Sequence, residues 1–210
     1  MEDVNLLADL GMNMIRLDVS WAGAEPERGT YNQTYFDIVH RIVDMCKSRG
    51  IYVLLEWHQD LFSERYCGNG APLWASRPLI PGNEFGFPFP LGRPFKIDPL
   101  SGLPEEWQCN NFFTRGYGSY AASQAFQDLY VNYNGVRDSF VDFWKKVATE
   151  FRNSTNVIGY EFMNGNNVFI NGRTMDWTVD ARSISFHKES RSSTSPTILR
   201  GYNQRSKGSG

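Results

Sequence analysis

The sequence predicts an α/β domain built on a parallel sheet, interrupted by one long insert and followed by a disordered tail. Three observations carry that prediction. Apolar residues alternate from Met12 to Trp21, recur at helical spacing from Tyr35 to Cys46, and run almost unbroken from Ile51 to Trp57. Strand, helix and strand in that order imply parallel strands joined by a right-handed crossover.

Met1 to Gly11 opens into a short helical pattern carried by Val4, Leu7 and Ala8. It has neither a basic leader nor an apolar core segment, so no signal peptide is expected in this chain. In the strand that follows, Ile15, Leu17 and Val19 share one face, while Met14, Arg16 and Asp18 share the other. A loop from Gly23 to Gly29 ends it. Tyr35, Ile38, Val39, Ile42, Val43, Met45 and Cys46 then mark a helix, with Asn32 or Thr34 as N-cap and Gly50 as a left-handed C-terminal stop. The Ile51–Trp57 run is the pattern of a strand buried on both faces.

Residues 61–134 break this rhythm. They are rich in Gly, Pro and aromatics as far as Trp107, and only Ser119 to Tyr130 looks helical. A loop of that length inside a compact domain is usually functional. Val136, Phe140, Phe143, Trp144, Val147 and Phe151 then define an amphipathic helix, and Asn156 to Met163 a further buried strand. Periodicity stops there. Residues 171–210 are Ser-rich and hold seven basic against three acidic side chains, a net +4, whereas the first 170 residues carry −6. The expected organisation is a domain over 1–170, with 61–134 as its insert, and a disordered basic tail over 171–210.

Composition narrows the function. With 210 residues and 41% apolar content the chain suits one globular domain, and a net charge of −2 argues against a nucleic-acid partner. No apolar run approaches the roughly 18 residues of a membrane span. Aromatic residues make up 15% of the chain, enough to suggest stacking on ring-shaped ligands. Three cysteines allow at most one disulfide.

Polar groups gather at the carboxyl ends of the three strands: Arg16 and Asp18, then Glu56, His58 and Asp60, then Glu161 and Asn164. Parallel α/β folds build their sites at that end. Glu56 and His58, two apart on a strand, share a face. Spacing leaves two readings open, a catalytic cluster or a satisfied polar layer such as Arg16 paired with Glu161. A metal site of Glu56, His58 and Asp60 is a third, less favoured because His and Cys are otherwise scattered. Phosphate-binding Gly-rich loops, nucleophile elbows and Cys-x-x-Cys pairs are all missing from the sequence.

The run Leu10-Gly11-Met12-Asn13-Met14-Ile15-Arg16-Leu17, with Trp21 and Glu25-Pro26-Glu27-Arg28-Gly29-Thr30-Tyr31 after it, resembles the second strand and loop of glycoside hydrolase family 5. Trp57 to Pro72, reading WHQDLFSERYCGNGAP, resembles the endoglycoceramidase branch, whose enzymes cut between the glycan and the ceramide of glycosphingolipids. Asn156 to Asn164 is similar to the family's fourth strand. The resemblance implies part of a (β/α)8 barrel, about strands 2–4 with a long insert after the third, the barrel not closed. It also implies retaining hydrolysis by two Glu residues about 5–5.5 Å apart, with no cofactor. A glycolipid or oligosaccharide substrate and a monomeric state are expected.

Carried over by that resemblance, Arg16 braces the nucleophile, His58 and Asp60 hydrogen-bond the sugar beside the scissile bond, and Asn164 holds the sugar 2-hydroxyl. Two departures stand against activity. The family reads Asn-Glu-Pro where this chain reads Asn164-Gly165-Asn166, so the acid/base position is Gly165. No carboxylate between Met1 and Gly210 matches the motif of the seventh-strand nucleophile. The chain is therefore expected to be a fragment without catalytic activity, or a non-catalytic glycan- or lipid-binding module. Trp21, Trp74 and Trp107 are candidate platforms for sugar or lipid, with a core role as the alternative for each. The aromatic run Phe85 to Leu91 is a candidate lipid-facing patch, with a loop packed against the barrel's outer helices as an equal alternative. Cys67 and Cys109, both inside the insert, are expected to pair, leaving Cys46 as a buried thiol. That bond and the tripeptides Asn32-Gln33-Thr34 and Asn153-Ser154-Thr155, which fit the N-glycosylation pattern, agree with the secreted or lysosomal setting the resemblance implies.

Overall fold

A computed structural model describes residues 2–77, 95–110, 116 and 119–164, together with the backbone of Phe169–Ile170 and Arg173–Thr174. Helix α1 (Glu2–Asp9) leads into strand β1 (Met14–Asp18), the short helix α2 (Trp21–Ala24), helix α3 (Gln33–Ser48) and strand β2 (Tyr52–Glu56). After the insert come helix α6 (Val136–Phe151) and strand β3 (Val157–Glu161). The strands form one parallel sheet in the order β1-β2-β3, an arc of a barrel that does not close among the described residues.

Local signals place these elements. Asn32 caps α3 by accepting the Tyr35 N–H at 3.2 Å, and Gly50 at φ +70° ends it where an L-residue would be strained. The six positions that define the apolar face of α6, from Val136 to Phe151, are all buried. They close a core in which Trp21 stacks on Phe143 at 5.9 Å and meets Trp57 edge-on at 6.1 Å. Buried Asn156 donates from Nδ2 to the carbonyls of Val43 and Ile51 at 3.0 and 3.2 Å. This pins the turn before β3 to α3 and to the start of β2.

Burial corrects the expectation of doubly buried strands. In β2, Val53 and Leu55 are fully buried under the helices, but Tyr52 is exposed and Leu54 half-buried. Ile158 in β3 and Phe162 just after it are exposed at the margin of the α6 cover. The physical reason is the number of layers: helices cover one face of the sheet, and among the described residues β3 is an edge strand.

The insert holds more local order than its sequence suggested. Single turns at Glu64–Tyr66 and Leu73–Ala75, helix α4 (Glu106–Cys109) and helix α5 (Tyr120–Tyr130) lie within it. Ser119 caps α5, and Arg77 forms a two-pronged ion pair with buried Asp128 of that helix. Cys67 and Cys109 are disulfide-bonded, and Cys46 is a buried thiol. Phe169–Ile170 (β4) pairs antiparallel with Arg173–Thr174 (β5), so two residues assigned from sequence to the tail lie in a strand pair. The rest of that tail, Gly165 and Phe85 to Leu91 lie outside the described residues. Among the described residues no helix is long and apolar enough to cross a membrane.

Candidate active site

Register assembles the polar cluster. Asp18 lies opposite Glu56 and Glu56 opposite Glu161, so three carboxylates form a row across three strands at their carboxyl ends. Arg16, two residues before Asp18, shares that face. Its Nε and Nη2 donate to the two oxygens of Glu161, both at 2.9 Å, and Nη2 also donates to Glu56. The polar-layer reading of Arg16 with Glu161 is therefore realised inside the candidate site.

Electrostatics follow from the geometry. The Glu56 side chain is only 7% exposed, and Arg16 at 42% is the cation against it. The hydrogen bonds that Arg16 donates to Glu161, with the charges of both carboxylates, raise the Arg16 pKa above its ordinary value and keep it charged. Asp18 is held above the usual carboxylate range, first by loss of hydration and then by the Glu56 charge, while the His58 backbone N–H donating to it at 2.9 Å opposes the shift.

His58 extends the row. Its Nδ1 lies 3.4 Å from Glu56 and its Nε2 3.6 Å from Asp60, so the imidazole bridges two carboxylates. Asp60 is fixed through its backbone: its N–H donates to Asn69 Oδ1 at 3.0 Å, and its carbonyl accepts the Asn69 N–H at 2.8 Å. Asn164 joins through its main chain, its N–H donating to the Trp57 carbonyl at 3.2 Å. Thus Arg16, His58 and Asp60 converge with Glu56 and Glu161, and Asn164 stands beside them at the end of β3. Among the described residues no three His, Cys, Asp or Glu side chains are grouped to hold a metal ion.

The loop carrying His58 and Asp60 is built by close backbone approach. A Cβ on Gly68 would stand 1.7 Å from the Asp60 carbonyl oxygen, and Gly70, at φ +106°, packs on Gln59. Leu61, Phe62 and Cys67 take left-handed conformations at φ 52°, 72° and 64°, which cost energy for side chains of that size. Sequence reasoning missed Gln59, which is fully buried. Its Nε2 donates to the Asn164 carbonyl at 3.2 Å and its Oε1 accepts the Phe62 N–H at 3.4 Å, clamping the loop to the end of β3. The signal was available: two residues beyond Trp57, it continues the buried side of β2, where a polar side chain needs partners.

Of the candidate platforms, Trp21 is a core residue whose indole N–H donates to buried Glu25 at 2.7 Å. Trp74 is partly buried, donates to the Glu25 carbonyl and lies under Arg28. Only Trp107, 66% exposed, presents its ring to solvent.

Fold and site together define a class: an arc of a (β/α)8-type barrel with a carboxylate-lined site at the carboxyl ends of its strands. The chain belongs to glycoside hydrolase family 5, the cellulase family, whose sequence profile matches residues 2–182. It is 41% identical to the endoglycoceramidase of Hydra vulgaris over 164 residues, covering 78% of this chain and 31% of that protein. The endoglycoceramidase of Cyanea nozakii is likewise 41% identical, with 77% and 32% covered. Among solved structures, endo-glycoceramidase II from Rhodococcus sp. in complex with ganglioside GM3 superposes with a TM-score of 0.59 at 26% identity, covering 78% of this chain and 34% of that one. The chain spans about a third of the length of the curated relatives it matches.

Proposed function

We propose that this chain supplies the sugar-holding part of an endoglycoceramidase-like retaining glycosidase, acting on O-glycosidic bonds of glycosphingolipid-type glycosides. The observation that carries the reading is the convergence of Arg16, Glu56, Glu161, His58 and Asp60 at the carboxyl end of the sheet. An uncharged sugar ring meets there an alternation of donors and acceptors. His58 and Asp60 hydrogen-bond hydroxyls beside the scissile bond. Asn164 holds the 2-hydroxyl, a contact worth most when it strengthens in the transition state. Arg16, already charged and held by two carboxylates, sets the field in which a neighbouring nucleophilic carboxylate stays ionised.

Catalysis needs two further groups. Glycine at 165 offers no proton to a leaving oxygen, and proton transfer alone contributes on the order of 10²–10⁴-fold. The 210-residue chain by itself is therefore inactive, and Gly165→Glu alone does not rescue it. The test is hydrolysis of a fluorescent glycosphingolipid and of an activated aryl glycoside by the purified chain. No turnover is expected from either form. Turnover abolished by His58→Ala would overturn the claim of inactivity.

Because the sugar contacts survive without the acid/base, a non-catalytic glycan- or lipid-binding role is the second reading. Calorimetric binding of lactose, lost in His58→Ala, would support it. A secreted or endomembrane location is part of the proposal, supported by the Cys67–Cys109 bond.

A further inference from the structure

We propose that Asn153 is an N-glycan attachment site, so that the chain carries an oligosaccharide on the end of the sheet remote from its sugar site. This inference is independent of the glycosidase reading. Asn153-Ser154-Thr155 supplies the acceptor amide and, two residues on, the threonine hydroxyl that the transfer requires. The structure adds what the tripeptide alone lacks. Asn153 and Thr155 are both exposed, in the turn between α6 and β3. That turn is held from its inner side, where the Ser154 N–H donates to the Phe151 carbonyl at 3.0 Å and the Val157 N–H to the Ser154 carbonyl at 3.0 Å. Asn156, the next residue, is buried and turned to α3 and β2. A glycan on Asn153 therefore projects outward without displacing a packed group.

Its position along the sheet also matters. The turn precedes Val157, the first residue of β3, whereas Glu161 of the candidate site is the last. A bulky glycan there leaves the site's mouth open. The other acceptor tripeptide is placed differently. Asn32 uses its Oδ1 to cap α3 and follows the loop leaving β1, on the same end as Arg16 and His58. A second, separate observation points to the compartment where such transfer occurs: Cys67 and Cys109 are oxidised to a disulfide.

The reaction balances with a polyprenyl-pyrophosphate-linked oligosaccharide as donor. The bond from sugar C1 to pyrophosphate oxygen breaks, a bond from C1 to Asn153 Nδ2 forms, and Nδ2 loses one proton. The polyprenyl pyrophosphate departs as the leaving group.

The experiment expresses the full chain behind a cleavable secretory leader in animal cells. Disulfide state is read by non-reducing electrophoresis, and glycan sites by mass spectrometry after enzymatic deglycosylation in ¹⁸O water. Most molecules with the Cys67–Cys109 bond should carry a glycan at Asn153. Thr155→Ala should reduce that occupancy to zero, while Thr155→Ser and Asn32→Gln should leave it in place. Glycan transfer to the nascent chain does not await folding, so a variant that fails to fold still reports. An unmodified Asn153 in molecules that have formed the disulfide would overturn the proposal. So would a glycan at Asn153 found only in molecules that fail to form the bond.

Discussion

The two faces of the three-stranded sheet are drawn from alternate residues of the same short strands, yet they are held by different physics. On the helix-covered face, Val53, Leu55 and Trp57 sit in a dry layer with Trp21, Phe140 and Phe143, where each ring contributes buried area and aromatic contacts. On the other face, Arg16, Glu56 and Glu161 hold one another by charge-assisted hydrogen bonds, with Arg16 still reached by water. The difference teaches a division of labour. The covered face supplies the stability, and the polar face spends some of it to keep charged groups aligned.

Three measurements test that division, from the largest effect to the smallest. Phe143→Ala should cost about 3–5 kcal/mol in chemical denaturation, because a fully buried ring leaves a cavity among Trp21, Phe140 and Trp144. Arg16→Met should cost less, because water already reaches Arg16 and Glu161 and screens their attraction, leaving only Glu56 buried without its cation. Its main effect should be loss of lactose binding. A larger stability loss for Arg16→Met than for Phe143→Ala would reverse the roles assigned to the two faces.

The third measurement uses pH. Asp18 has a raised pKa in the folded chain, so between the ordinary carboxyl value near 4 and that raised value the folded state holds more proton than the unfolded one. Stability contributed by Asp18 therefore falls as pH rises through that window. Asp18→Asn keeps an acceptor for the His58 N–H and removes the charge. It should raise the urea midpoint slightly at pH 7 and have no such effect below pH of about 3.5. An equal gain at both pH values would assign the effect to something other than ionisation.

Much of the scaffold was legible in the sequence because its signals are local. The Asn32 cap, the Gly50 stop and the six apolar positions of α6 act within a turn or two of chain, and each element lies where those signals put it. Burial on both faces was not legible. An apolar run shows that a strand is present but not how many layers pack on it, so Tyr52 and Ile158 were misjudged. In the candidate site, the strand-end residues could be named because side chains alternate along a strand. The path of the Trp57–Gly70 loop could not, since it depends on Leu61 and Phe62 taking backbone conformations that their side chains disfavour. The burial of Gln59 could be read from that same alternation, but its partner could not, since the contact exists only once the loop has folded back against Asn164.

The disulfide also bears on the order in which the molecule is made. Its two cysteines are 42 residues apart, and both precede α6 and β3 in the chain. Synthesis at about 5–20 residues per second needs several seconds more, after Cys109 has been added, to reach the Glu161 that completes the carboxylate row. In an oxidising lumen, the covalent tie behind His58 and Asp60 has that interval in which to form. The loop that carries His58 and Asp60 is then fastened before β3, whose Glu161 completes the carboxylate row, has left the ribosome.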